Sequence, residues 1–187
     1  VNGPSAFAEF GREELLGALT AFAKNWLAHD GCWFLAVEER HGMETAIELD
    51  ARAWERFAAV EARRIMETFG ILPNGGLPAL ERALSLRMYA LVNEQHVEWS
   101  EDRGTLHLIM DGCRVQQARV RKGLPPFPCR PVGEVEFRTF AATVDPRIAT
   151  HCLRCPPEPN AGGACTWEFA LEEGAGPARD PREAERP

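Results

Sequence analysis

Ala164-Cys165-Thr166-Trp167-Glu168-Phe169-Ala170-Leu171 alternates apolar and polar side chains with a period of two, the pattern of a strand that buries one face. The segment 147–155 before it reads as another strand. A loop rich in Pro and Gly, 156–163, joins the two. Further upstream, 89–99 also repeats every second residue, with Tyr89, Leu91, Val97 and Trp99 in phase. Ser100-Glu101-Asp102-Arg103-Gly104 is a turn and 105–110 a strand, so this pair makes a hairpin. Strands that come in blocks and join by short turns build an antiparallel sheet. The fold class expected is therefore α+β, with about four strands packed against helices, rather than a doubly wound parallel sheet.

Ahead of the strands, Leu15, Leu16, Leu19, Phe22, Ala23, Trp26 and Leu27 recur every three or four residues, which predicts a helix over 11–28. His29-Asp30-Gly31 reads as its end, with Gly31 free to take the left-handed conformation of a helix stop. The apolar run 32–37 fits a strand or a buried connection, and periodicity alone leaves both open. Asp50 reads as an N-cap. The helix it opens carries Trp54, Phe57, Ala58, Glu61, Ile65, Met66 and Phe69 and stops at Gly70. After the loop 72–76, Pro78 suits the first turn of a third helix bearing Leu80, Leu84, Leu86 and Met88. A short helix follows over 113–121, and Gly123-Leu124-Pro125-Pro126-Phe127-Pro128 forces an extended approach to Cys129. A last helix opens at Pro131, carries Val132, Val135, Phe137, Phe140 and Val144, and closes at Asp145-Pro146. Residues 173–187 offer almost nothing to bury and are expected to be a disordered tail, which leaves one domain over 1–172.

Composition narrows the function. The chain has 187 residues, 45% of them apolar, enough for one core. Lys and Arg total 21 against 28 Asp and Glu, a net charge of −7. That balance argues against a nucleic-acid binder, which needs a basic surplus to replace counterions, and against docking to an anionic membrane. No apolar run reaches the roughly 18 residues of a transmembrane helix. Residues 1–9 lack the basic flank and apolar stretch of a signal peptide. The expectation is a cytoplasmic protein with no nucleic-acid and no membrane partner.

Six cysteines stand out: Cys32, Cys113, Cys129, Cys152, Cys155 and Cys165. In a reducing compartment clustered cysteines serve more often as metal ligands or catalytic thiols than as disulfides. Cys152-x-x-Cys155 is the spacing at which two thiolates reach one ion, and a hairpin carries Cys165 back beside them. Cys129 lies just before a helix start, where backbone N–H groups favour a thiolate. Four thiolates satisfy a closed, tetrahedral, structural zinc site, making 127–171 a zinc-binding subregion. An iron–sulfur cluster accepts the same ligands and is the less favoured cofactor. Against this stands the plain reading that each cysteine fills core space. His151 neighbours Cys152 and points to the other face of a strand, which makes it the weaker ligand.

Phe127-Pro128-Cys129 before a helix, Thr150-His151-Cys152-Leu153-Arg154-Cys155, and Gly163-Ala164-Cys165-Thr166-Trp167-Glu168-Phe169 together resemble the small-molecule-binding domain of the 4-vinyl reductase family. The resemblance covers roughly the C-terminal third. It implies a zinc site made by a Cys before a helix, an acidic residue and a Cys three apart, and a Cys opening the last strand. Cys152 stands where that family has a carboxylate, so the set here is four cysteines. Over its length the chain also resembles a prokaryotic family of cytosolic proteins of unknown function, through Trp26-Leu27-Ala28-His29-Asp30-Gly31, Cys113-Arg114-Val115-Gln116 and Phe127 to Gly133. Similarity to proteins described as L-2-amino-thiazoline-4-carboxylate hydrolases implies a fold more securely than a reaction.

The vinyl-reductase-like resemblance implies an apolar pocket between sheet and helices. Trp33, Trp54, Phe57, Tyr89, Trp99 and Trp167 are the aromatic candidates to line it, with ordinary core packing as the competing reading. Glu61, Arg64, Asn93, His96 and His107 are polar groups that would orient a ligand, or else face solvent. Cys113 and Cys32, with His29 near the latter, are the candidate nucleophiles. Arg114, Arg119, Arg121 and Lys122 form a basic patch that reads as a solvated helix face before a carboxylate site. Gly75-Gly76 and Gly162-Gly163 lack the setting of a phosphate loop, and neither a Gly-x-Ser-x-Gly elbow nor a His-Glu-x-x-His run occurs. The first expectation is thus a zinc-stabilised binder of a small, largely apolar molecule, a sensor or carrier, with a homodimer as one option for assembly. A small thiol-dependent hydrolase and a purely structural subunit are the alternatives.

Overall fold

The computed structural model describes residues 7–158 and 165–172; the tail expected over 173–187 and the second part of the loop before Cys165 lie outside the described residues. The alternating segments form one four-stranded antiparallel sheet: β1 (Glu94–Trp99), β2 (Thr105–Gly112), β3 (Ile148–Arg154) and β4 (Cys165–Leu171), in the order β1-β2-β4-β3. The α+β class and the antiparallel pairing are as the sequence predicts. Met88–Leu91 departs from the expected strand and makes a 3-10 turn, so β1 begins only at Glu94.

The period of two sorts the sheet into two faces. Leu106, Leu108 and Met110 of β2 and Cys165, Trp167 and Phe169 of β4 are buried inward. The outer face carries the polar alternates. His107 lies opposite Glu98 and Glu168 in register and bonds the Glu168 carboxylate at 3.0 Å. His96 is held between Asp111 at 2.7 Å and Glu98 at 3.2 Å.

The inward face is covered by helices, and here the sequence reading needs correction. α1 runs from Arg12 to Phe69 with one non-helical residue, Gly42 at φ 84°, ψ 166°. A straight helix would set Trp26 and Phe57 about 46 Å apart. Their stacked rings lie 5.4 Å apart, so the chain doubles back at Gly42 into two packed arms, 12–41 and 43–69. That backbone region is open essentially to glycine alone. The helix does not stop at Gly31, the run 32–37 is helical, and Asp50 sits inside the second arm rather than capping it. A short apolar run buries as well on a helix as on a strand, and Gly31 is tolerated in the helix interior. The expected stop at Gly70 is present, left-handed at φ 64°.

α2 (Gly76–Ser85), α3 (Arg114–Arg121) and α4 (Arg130–Val144) complete the layer. The buried Asp145 carboxylate accepts the Gly76 N–H at 2.9 Å, the Arg147 N–H at 3.0 Å and the Arg147 guanidinium, joining the end of α4 to the start of α2. α4 lies between α1 and the sheet. Gly133 lets it approach: a Cβ there would fall 2.5 Å from the Trp167 ring. Among the described residues no helix is long and apolar enough to cross a membrane.

Candidate functional site

Between the two arms of α1, the sheet and α3–α4 lies a cavity of about 430 Å³, within the range of small-molecule sites. Leu108, Met110, Cys165 and Trp167 form its sheet wall. Val132, Gly133, Glu136 and Phe137 of α4, Val115 and Ala118 of α3, and Phe127 form a second wall. Leu27, Phe34 and Leu35 of the first arm and Trp54 of the second close it, with Tyr89 and Arg87 beneath. The wall is apolar because each element turns its buried stripe inward; the space exists because α3 stands off the sheet. Its outward position is fixed by Arg119, whose guanidinium pairs with both oxygens of Glu38 at 2.7 and 2.9 Å. Gln116 clasps the Phe127 backbone through its amide, at 2.7 and 3.0 Å.

The charged floor is the feature the sequence did not announce. Arg87, 2% exposed, donates to Glu61 at 2.9 Å and to Glu136 at 2.6 Å. Its guanidinium lies 4.7 Å from the Phe140 ring centroid and 5.8 Å from those of Trp54 and Tyr89. Burial works against the guanidinium's charge, but Glu136 and Glu61 hold its pKa above the ordinary value. Burial also raises Glu136, with Arg87 pulling it back. Asp30 and Asp50 face the cavity from opposite arms. Burial raises Asp30, and burial, helped by Asp30 and Glu136, pushes Asp50 up to about 7. The same burial, with Glu136 and Asp30, lifts the Tyr89 phenol well above its usual value.

Cys129, Cys152 and Cys165 lie around Cys155 at the sheet end of the cavity. The neighbouring Cys155 holds Cys129 and Cys152 below the usual thiol value, while the surrounding sulfurs and burial drive its own up. Gln116 adds an N–H to the Cys129 sulfur at 3.1 Å. All six cysteines are unpaired. Among the described residues no group of three or more His, Cys, Asp or Glu is arranged to hold a metal ion. His151 is exposed on the other face of β3.

Of the predicted ligand residues, Trp54 and Tyr89 line the cavity, as do Asn93 and Trp167. Glu61 stands one layer behind, against Arg87. Trp33 is 65% exposed on the outer side of the first arm, because the continuous helix rotates it away from the core. Trp99 lies at the sheet edge, with Arg103 over its ring at 4.4 Å. His107 and His96 belong to the outer sheet face, and Arg64 is exposed. The structure therefore places Trp33, Trp99 and His107 outside the site. Cys113 lines the cavity, its thiol pushed up to about 11 by burial. Cys32 is at the mouth, one helical turn from His29 on the unbroken arm. Among the described residues no imidazole hydrogen-bonds either thiol. Arg119 is buried against Glu38, so the basic patch is not one solvated face. Asp30, Asp50, Arg87 and Glu136 were missed. Apolar periodicity ignores charges, and only Asp30's place in the i, i+3 row of Leu27 hinted at an inward position.

The chain belongs to a family of unknown function, DUF6125, whose model matches residues 8–171. No curated protein sequence matches it. Among solved structures it is similar to a trafficking protein particle complex subunit 3 from Naegleria fowleri covalently bound to palmitic acid, at 10% identity, 87% of this chain, 98% of that chain and a TM-score of 0.46. It is also similar to the phenol-responsive sensory domain of the transcription activator PoxR with phenol, at 15% identity, 75% of this chain, 72% of that chain and a TM-score of 0.44.

Proposed function

We propose that this member of the DUF6125 family is a small-molecule-binding protein, a sensor or carrier whose ligand occupies the cavity between the α1 arms and the sheet. The observation that carries the reading is the cavity itself: about 430 Å³, walled by apolar and aromatic side chains, with a few polar groups on its floor. A filled core would have closed that space, because interiors pack to crystal density. N-phenyl-1-naphthylamine, a neutral fluorescent apolar probe, tests it. Saturable binding at one site per chain, lost in Val115→Trp with its folding intact, is the expected result. Unsaturable binding, or binding unaffected by the filled wall, overturns the reading.

We further propose that Cys129, Cys152, Cys155 and Cys165 hold a structural zinc ion. The donor types support this, since four thiols suit a closed tetrahedral site and two of them, Cys155 and Cys165, are buried. Zinc there would tie β3, β4 and the start of α4 together. Elemental analysis with a thiol count decides: one zinc per chain and four protected thiols are expected, and a metal-free protein with all six thiols titrating freely overturns it. Six unpaired thiols fit work in the reducing cytosol.

A further inference from the structure

The cavity floor has more acid than its one guanidinium can balance. Glu61 and Glu136 flank Arg87, and Asp30 and Asp50 lie near Glu136 on the cavity side. Glu136, 9% exposed, has one oxygen on Arg87, and among the described residues nothing bonds the other. Asp30 and Asp50 receive no hydrogen bond from any described residue and both open on the cavity. Carboxylates kept half-dry beside one another cost stability unless a positive partner joins them. Trp54 and Tyr89 add negative ring faces to the same floor, stacked 5.8 Å apart.

We propose that the cavity is built for an organic cation, a primary amine or ammonium group on an aromatic or alkyl body, with the charge at Asp30, Asp50 and Glu136. This rests on the small-molecule reading above and names its ligand class. The basic residues of the lining do not oppose it. Arg119 is already paired with Glu38, Arg114 is half-buried, and Lys24, Arg121 and Lys122 are exposed at the mouth, where water and salt screen them. Apart from Arg87 and Arg119, both already paired, the charges held away from water are the acidic ones. An ammonium ion entering beside them restores neutrality and draws Asp50, raised by burial to about 7, to its ionised form. Binding therefore tightens as pH rises from 6 to 8. Asp30 of the first arm and Glu136 of α4 face Asp50 and share in that balance, with Arg87 and Tyr89 of the segment before β1 in the same lining.

Calorimetry at pH 8 with 2-phenylethylamine, 2-phenylethanol and 3-phenylpropanoate tests the charge with the body held constant. The amine is expected to bind at least about tenfold tighter than the alcohol, and the acid most weakly. Asp50→Asn should abolish the preference and its pH dependence, while its melting temperature at pH 8 is no lower than that of the unaltered protein. That last result separates a lost ligand contact from a damaged fold. An alcohol or acid that matches the amine overturns the cation assignment. If none of the three binds while the neutral naphthylamine probe still saturates, the assignment fails alone; if the probe fails too, the small-molecule reading falls with it.

Discussion

The sheet and the helical hairpin close one cavity with opposite chemistry. The sheet gives it uncharged side chains, Leu108, Met110 and Trp167, and keeps its histidines and carboxylates on the far face. The hairpin and α4 bring carboxylates inward, two of them, Glu61 and Glu136, paired with the Arg87 guanidinium. Stability on the sheet side comes from apolar area removed from water, which pH does not touch. On the helical side it depends on who is paired and who is protonated. The contrast puts pH-independent packing on one wall and charge pairing on the other.

The sharpest way to break this contrast is Arg87→Met, which strands Glu61 and Glu136 in the interior. It should cost about 3–5 kcal/mol by urea unfolding at pH 7, as loss of one partner of a buried ion pair does. The deficit should shrink toward pH 5, where the stranded carboxyls take protons. Leu108→Ala on the sheet should cost about 2–5 kcal/mol as a core truncation, equally at both pH values. If the two deficits keep the same pH profile, the contrast fails.

Asp145→Ala, at the junction of α4 and α2, should cost about 2–3 kcal/mol, because it leaves the buried Gly76 N–H without its acceptor. The Arg147 guanidinium holds the Asp145 carboxyl below its ordinary range. Its contribution is therefore full above the unfolded-state value near about 4 and fades as pH falls through the lower folded value. Urea midpoints of the unaltered protein and the variant should converge in acid.

Gly42→Ala forces a side chain into the glycine-only region and should cost about 1–3 kcal/mol. Gly31→Ala, eleven residues earlier in the sequence, should instead gain about 0.5–1 kcal/mol, since that position is helical and open. A reversed pair of signs would put the corner back at Gly31. The smallest effect is expected at Trp33→Ala, within about 0.5 kcal/mol, because the ring is out in solvent.

The unequal legibility of the two walls has the same origin. Strand alternation is a strict period of two, so Thr105 to Met110 and Cys165 to Leu171 declare their inner and outer sides in sequence. The hairpin hides its turn. Gly42 lies between His41 and Met43 without the Pro, Asn or Asp that usually mark a reversal, while His29-Asp30-Gly31 carries such a mark and stays helical. A turn read at Gly31 puts Trp33 inward and makes Asp50 a cap, and it gives the approach of Asp30 to Asp50 no basis in spacing. Arg87 and Glu136 were silent for another reason: buried ion pairs form between distant segments, and no local pattern records them.

One consequence follows from the corner at Gly42. Asp30 and Asp50 stand twelve and eight residues from it on separate arms, about 18 and 12 Å along rigid helix. A change of about ten degrees in the angle between the arms would move the two carboxylates roughly 2–3 Å relative to each other. A single residue without a side chain thus acts as the fulcrum of a pair of calipers, and the gap between the jaws is the width of the acidic floor.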